Sequence, residues 1–300
     1  MSTYNGEKYL YEQLDSVLTQ EDVSVDLYVR DDGSTDSTID ILQKYSREYS
    51  NVHLIFDGNN VGPGQSFYML MKYISKNYPH DFYAFSDQDD IWMPQKLYVG
   101  IEKIKSIRKP ALYASNQWLY FDGEIKGLRF DEMDVTLEKE LNGNDISGCT
   151  MVFNHDMAKL ASKKELPDKM LLDYRLHDTM LLLIALISGK FVFDDDSYIK
   201  YRIHKDNAVG IKKLGLIGKL KRVIKPGNKD RWWRARSKTA RYLVDNFSFT
   251  QEDDLQFLRL YSDYNKSIRG RILLMNNQRV LRGIGESKFR FTVKVLLGFV

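Results

Sequence analysis

Apolar positions along the first two hundred residues recur with two periods. Between Glu7 and Leu18, residues Leu10, Leu14, Val17 and Leu18 have helical spacing, whereas Val23, Val25, Leu27 and Val29 alternate as in a strand. The same exchange repeats. Ile39, Ile41 and Leu42 mark a helix after Arg30–Asp36, then come a strand over Val52–Phe56, a helix over Ser66–Ser75, a strand over Phe82–Phe85 and a helix from Pro94 to about Ile107. Such alternation predicts a doubly wound α/β sheet, whose ligands bind beyond the carboxyl ends of the strands.

Farther on, strands are expected at Ala111–Ser115, Cys149–Phe153 and Lys190–Phe193, with Trp118–Phe121 following the first of them and a helix over Arg175–Ser188 that stops at Gly189. The acidic stretch between Phe121 and Asp145 has no clear period and is expected to be a lid or substrate loop. Beyond Gly210 the pattern changes. Ile211–Gly227 holds six lysines or arginines and no acid, interleaved with leucine, isoleucine and valine, and Arg231–Arg236 adds two tryptophans. Thr250–Asp253 resembles a capping box opening a helix to about Met275, with Leu258, Tyr261, Tyr264 and Ile268 on one apolar face. At 300 residues the chain suits one large domain and an appendage, placed at 1–208 and 209–300.

The predicted strands carry acids at their tips: Asp31 and Asp32 after Val29, and Asp87, Asp89 and Asp90 after Phe85. Carboxylates at i and i+2 of an extended segment point the same way and suit a hard divalent cation that also holds phosphate oxygens, although such acids also cap helices. Composition narrows the field little. Hydrophobic residues make up 43% and charged residues 28%, and a net charge of +3 gives no reason to expect a nucleic-acid partner. A single cysteine, Cys149, excludes an internal disulfide and a cysteine-rich zinc site. No apolar run is long enough to span a bilayer, and Met1–Gly6 does not resemble a signal peptide, so a cytoplasmic location is expected.

Several stretches in a fixed order carry a resemblance: Ser2-Thr-Tyr-Asn-Gly6, Arg30-Asp-Asp-Gly-Ser-Thr-Asp36, Asn60-x-Gly62, Phe85-Ser-Asp-Gln-Asp-Asp-Ile-Trp92, Gly148-Cys-Thr-Met151, His177-Asp178 and Tyr201-Arg-x-His204. Together they resemble the family-2 inverting glycosyltransferases of GT-A fold, over about residues 1–208. The Ser-Asp-Gln-Asp-Asp-Ile-Trp form is similar to bacterial rhamnosyltransferases of surface polysaccharide synthesis. The resemblance implies an α/β catalytic domain with a C-terminal helical extension, a dTDP- or UDP-sugar donor and a lipid-linked oligosaccharide or polysaccharide acceptor. Donor contacts fall on Thr3, Asn5, Asp31, Asp32, Asn60, Gly62, Asp87 and Arg202, with Asp32 at the pyrimidine base and Asp87 near the ribose. Mg²⁺ or Mn²⁺ falls on Asp89 and His204. Asp178 matches the base that takes the acceptor's proton; Asp173 is its nearby competitor. An acid in the first turn of a helix is also favoured by the macrodipole alone. Trp92, Trp118 and His177 are the candidates for acceptor contacts.

Two departures qualify the likeness. The apolar strand that precedes the Ser-Thr-Tyr-Asn-Gly loop in the family is nearly absent, as if translation began at an internal methionine or the chain was cut, so an exposed sheet edge or weakened donor affinity is expected. The tail transfers no motif. Its basic amphipathic part, 211–236, suits peripheral contact with the inner face of a membrane, and equally a helical cap or a homodimer contact. The rival reading of the whole chain is a non-catalytic nucleotide-sugar or cation-binding protein, or an inactive partner subunit.

Overall fold

The computed structural model describes residues 1–143, 145–163, 169–172, 177–204 and 235–300. The chain divides into two compact units: Met1–Asp134 with Ile146–Leu166 and Gly189–Gly210, and Val135–Asp145 with Pro167–Ser188 and Ile211–Val300. A single boundary at 208/209 does not describe this division, because two segments from within the first 208 residues cluster with the C-terminal helices. Asp173, Lys205 and nearly all of the basic 211–236 segment lie outside the described residues.

In the first unit, β1 (Ser2–Thr3), β2 (Leu27–Asp31) and β3 (Val52–Ile55) form a parallel sheet in the order β1-β2-β3. A second, mixed sheet runs β4-β8-β6-β9-β5, with β7 on β6. Its strands are β4 (Phe82–Ala84), β5 (Ile91–Trp92), β6 (Ala111–Phe121), β7 (Glu124–Leu128), β8 (Val152–Asn154) and β9 (Lys190–Arg202). Helices α1 (Leu10–Leu18), α2 (Thr38–Glu48), α3 (Pro63–Asn77), α4 (Lys96–Ile104) and α6 (His155–Ser162) connect and cover them. Leu10, Leu14 and Val17 of α1 and Ile41, Leu42 and Tyr45 of α2 close one core with Leu27, Val29 and Val52. Each large aliphatic side chain buried in this way contributes about 1.5–3 kcal/mol.

The alternating Val23 and Val25 do not join β2, because ladder partners on β3 begin only at Val52, opposite Leu27. The expected irregular stretch after Phe121 instead starts as a hairpin: Asp122 and Gly123 have φ of 52° and 81°, and β7 folds back on β6. An Asp-Gly pair between strands is a strong hairpin signal that the acidic composition obscured. Cys149 belongs to a 3₁₀ turn (Gly148–Thr150), not to a strand.

Because β1 is two residues long and pairs only with Arg30 and Asp31, β2 below that point has no strand on its β1 side, and β4 pairs only with β8 among the described residues. A cavity of about 470 Å³ lies there, lined by Leu27, Tyr28, Phe67, Phe82, Phe85 and Phe153 among others. The Met1 amine donates to the Tyr28 carbonyl at 2.7 Å, and its burial pulls the pKa down from 8.0 to about 5.

The second unit is helical: α5 (Leu137–Asn142), α7 (Lys169–Leu172), α8 (His177–Ser188), α9 (Ala235–Asn246), α10 (Glu252–Asp263), α11 (Ile268–Asn276), α12 (Gln278–Gly283) and α13 (Lys288–Leu296). Helix α8 is apolar on almost every side and buried accordingly. Thr250 does not cap α10. Its hydroxyl and its backbone N–H both donate to Ile187 O, at 3.1 and 2.8 Å, tying the start of α10 to the end of α8. The single long helix expected to Met275 is interrupted by a 3₁₀ turn at Tyr264–Lys266, and Ser267 caps a new helix by accepting from Gly270 N. Leu258, Tyr261 and Tyr264 are buried as expected, but the break turns Ile268 outward, to 78% exposure.

Candidate donor and metal site

Three loops of the first unit meet at the carboxyl ends of β1, β2 and β4. The loop after β1 turns at Asn5, whose φ of 48° is tolerated by asparagine, and its side-chain Oδ1 accepts from Thr35 N at 2.8 Å. Thr3 Oγ1 donates to Asp31 Oδ1 at 2.9 Å. The other Asp31 oxygen accepts from the backbone N–H groups of Gly33 and Ser34, at 3.0 and 2.8 Å, which fixes the turn. Asp32 works on the next loop. Its Oδ1 accepts from Val61 N and its Oδ2 from Gly62 N, at 2.9 and 2.8 Å, just ahead of α3. Gly62 has a φ of 85° and precedes Pro63 at the first helical position, a start that leaves those N–H groups free for the carboxylate.

Arg30 completes this arrangement and was not singled out by sequence reasoning. Its guanidinium is buried and donates to Asp32 at 2.5 Å, to Asp57 at 2.8 Å, to Ser66 Oγ at 2.9 Å and to Asn59 O at 3.0 Å. Three protein donors therefore converge on Asp32, which is 3% exposed and holds the 57–62 loop in place. The signal in the sequence was the strand position of Arg30. A guanidinium at the buried tip of a strand needs carboxylates around it.

The Asp87–Asp90 loop is built differently. Gln88 sits at its centre: the Gln88 side chain accepts from Tyr4 N at 2.8 Å and donates to Tyr4 O at 3.1 Å, as a neighbouring strand would. Gly6 makes room for that amide, since a Cβ there would lie 2.4 Å from Gln88 Oε1. The residues on either side, Asp87 and Asp89, are only partly buried. Asp89 Oδ2 lies 2.7 Å from His204 Nε2, bringing together two residues 115 positions apart, with side chains 17% and 14% exposed. Arg202 anchors this end of β9: its Nε donates to Asp89 O at 2.8 Å, its N–H to Asp90 Oδ1 at 3.0 Å, and its side chain pairs with Glu12. Its guanidinium lies over the rings of Tyr9 and Tyr120, at 4.5 and 5.1 Å, and the Tyr9 ring also meets His204.

Ligand atoms of Asp87, Asp90 and Cys149 also lie within 4.8 Å of one another. Burial raises the pKa of both Asp90 and Cys149 well above their usual values, so both favour the protonated form, which is a poor ligand. Asp89 and His204 fit a divalent cation better. Both are reachable from solvent, their donor set is oxygen and nitrogen, and 2.7 Å is close to the roughly 3 Å between adjacent ligand atoms on one six-coordinate Mg²⁺.

The expected acceptor contacts fare unevenly. Trp92 is 4% exposed within the α1–α2 core, with the Lys96 ammonium 3.8 Å from its ring, so it presents no face to a sugar. Trp118 is half-buried on β6, and Asn60 stands exposed on its loop. In the second unit, His177 is buried, which lowers its pKa to about 3, and the neighbouring Asp178 is also buried, its Oδ1 accepting from Thr179 N at 2.6 Å.

This α/β fold, with acidic loops gathered at the strand tips, is that of a glycosyltransferase of GT-A fold, as the comparisons show. The chain is similar to S. aureus TarS 1-349, solved in complex with UDP, with a TM-score of 0.58 and 18% identity over 92% of this chain and 74% of that one. Glycosyl transferase family 2 matches residues 1–159, and the chain belongs to that family. Among relatives, it is 31% identical to the dTDP-rhamnosyl transferase RfbG of Shigella flexneri, over 82% of this chain and 85% of that protein. It is 26% identical to the UDP-Glc:alpha-D-GlcNAc-diphosphoundecaprenol beta-1,3-glucosyltransferase WfgD of Escherichia coli, over 72% and 73% respectively. Among the described residues no helix is long and apolar enough to cross a membrane.

Proposed function

We propose that this glycosyltransferase is metal-dependent and inverting, and that it moves L-rhamnose from dTDP-rhamnose to a lipid-linked oligosaccharide or polysaccharide acceptor. The observation that carries the reading is the Asp89–His204 pair at 2.7 Å beside Asp87, in a chain of this family whose relative RfbG is a dTDP-rhamnosyl transferase. Asp89 and His204 would hold Mg²⁺ or Mn²⁺, which neutralises charge developing on the diphosphate as it leaves. Asp87 orients the ribose, and the Thr3–Asn5 and Asn60–Gly62 loops frame the donor. Asp31 and Asp32 serve the donor by holding those loops.

In the transfer, the acceptor hydroxyl oxygen forms a bond to the anomeric carbon while the carbon–oxygen bond to the β-phosphate breaks. The bonding pair leaves with the nucleoside diphosphate, and the hydroxyl proton passes to the Asp178 carboxylate. One base and no covalent intermediate suffice for inversion. The test is nucleoside diphosphate release from a panel of nucleotide sugars with Mn²⁺ and a lipid-pyrophosphoryl oligosaccharide. Acceptor-dependent release from dTDP-rhamnose supports the proposal; release from a UDP-sugar alone replaces the donor; binding without turnover leaves a nucleotide-sugar-binding module. Asp178→Asn is expected to keep donor affinity within about twofold while turnover falls by about 100-fold or more. Near-normal turnover in that variant removes Asp178 as the base.

A further inference from the structure

The exposed large hydrophobic side chains are unevenly placed. Among the described residues outside α11 and α13 and their ends, they are aromatic except for Ile125, and most are tyrosines with a hydroxyl for water. Within the two helices the exposed set is Ile268, Ile272, Leu273, Phe289, Val293, Leu296 and Leu297, with Ile268 and Phe289 both 78% exposed. Ile268 and Ile272 are four apart on α11, and Phe289, Val293 and Leu296 follow at four and three on α13, so each helix presents a stripe rather than scattered residues. The opposite sides are anchored in the unit: Leu274, Phe291 and Val295 are fully buried. Arg271 of α11 donates to Leu296 O at the end of α13, at 2.8 Å, which joins the two stripes at Ile268–Ile272 and Leu296.

Charge surrounds this apolar face. From Lys266 to Val300 the chain has eight lysines and arginines, of which Arg279 is held by Glu138 and Asp254, and one acid, Glu286, which pairs with Arg236 and Lys294. Lys288 and Arg290 flank Phe289 and are exposed; Arg269 follows Ile268 and is exposed. A shallow cleft of about 370 Å³ beside Leu273 is lined by Arg259, Lys266 and Arg269, with Asp263 there bonded to Lys266 at 2.9 Å. An apolar stripe bordered by cations is the pattern of a helix pair lying in the interface of an anionic bilayer, with aliphatic tips among acyl chains and cations at the headgroups. A second copy fits less well, because a self-complementary contact would face the same excess of cations with itself.

We infer that the face formed by α11 and α13 docks this chain on an anionic lipid bilayer. The inference rests on residues other than the basic 211–236 segment and does not depend on which sugar is transferred. The experiment is flotation of the full chain with vesicles of phosphatidylcholine alone and of phosphatidylcholine mixed with phosphatidylglycerol. Binding to the mixed vesicles is expected, with little to the neutral ones, and high salt weakens it. Phe289→Ser and the pair Lys288→Glu/Arg290→Glu are each expected to lower binding about tenfold or more. All three positions are exposed, and acids are favourable in the first turn of α13, so circular dichroism is expected to be unchanged.

The inference is overturned if mixed vesicles do not bind, or if binding survives both variants. It is also overturned if the variants abolish self-association in gel filtration, or if a soluble polyanion such as heparin binds equally well and without dependence on Phe289. Nucleoside diphosphate release with a water-soluble acceptor, measured on the same variants, is expected to stay unchanged and reports the proposed reaction separately.

Discussion

Two acidic loops of the same sheet edge put their carboxylates to opposite uses. At Asp31 and Asp32, protein donors converge on the oxygens: the Thr3 and Ser34 hydroxyls, four backbone N–H groups and the Arg30 guanidinium. Around Asp89 the loop is held through the neighbouring Gln88, and Asp89 directs an oxygen to His204 beside solvent. A carboxylate surrounded by fixed donors has spent its charge on building the site. One whose loop is held through its neighbour is the arrangement on which the proposed cation site rests.

The largest expected effect that separates the two is on folding. Asp32→Ala leaves buried Arg30 without one partner and two N–H groups without an acceptor, and is expected to cost about 3 kcal/mol in denaturant unfolding. A variant that unfolds like the parent chain but no longer binds donor would show that Asp32 acts on the ligand, and the contrast would collapse. Asp89→Ala is expected to do the reverse: stability within about 1 kcal/mol of the parent, and Mn²⁺-dependent donor binding down by about 100-fold in calorimetry. Next comes Gln88→Ala. It removes two hydrogen bonds to Tyr4, and is expected to cost about 1–2 kcal/mol of stability together with roughly tenfold in metal affinity, since it loosens the loop that presents Asp89.

Near neutral pH the smallest effect is a pH drift on which these measurements sit, and it grows only on acidification. His177 has a folded pKa of about 3 against 6.5 unfolded, because burial disfavours its charged form. The unfolded chain thus binds the extra proton first. Its contribution to stability is complete above about pH 6.5 and is lost on acidification towards 3, by up to ~1.4 kcal/mol per pH unit. His177→Leu is expected to flatten that slope between pH 6.5 and 5; an unchanged slope would assign it to other groups.

Much of this was legible in the sequence for a definite reason. Leu10, Leu14 and Val17 are buried as their period predicts, and the acids at Asp32 and Asp89 fall at strand tips because apolar strands end where polar loops begin. The approach of Asp89 to His204 followed only from the resemblance, since spacing along a chain says nothing about residues 115 positions apart. Other features escaped because they depend on tertiary partners. Gln88 carries no charge and belongs to no periodic pattern, yet its amide fits against Tyr4. Trp92 resembled a sugar platform until the core closed over it. Ile268 continued a helical stripe on paper, and the turn at Tyr264–Lys266 rotated it into solvent, where it begins the surface of α11.

The Gln88 amide has a thermodynamic consequence. Because it is bonded both ways to the Tyr4 backbone, the loop backbone that carries Asp87 and Asp89 is ordered when the chain folds rather than when a ligand arrives. In the proposed function, cation and donor would then meet a loop whose backbone is already ordered, so less conformational entropy would be lost on binding.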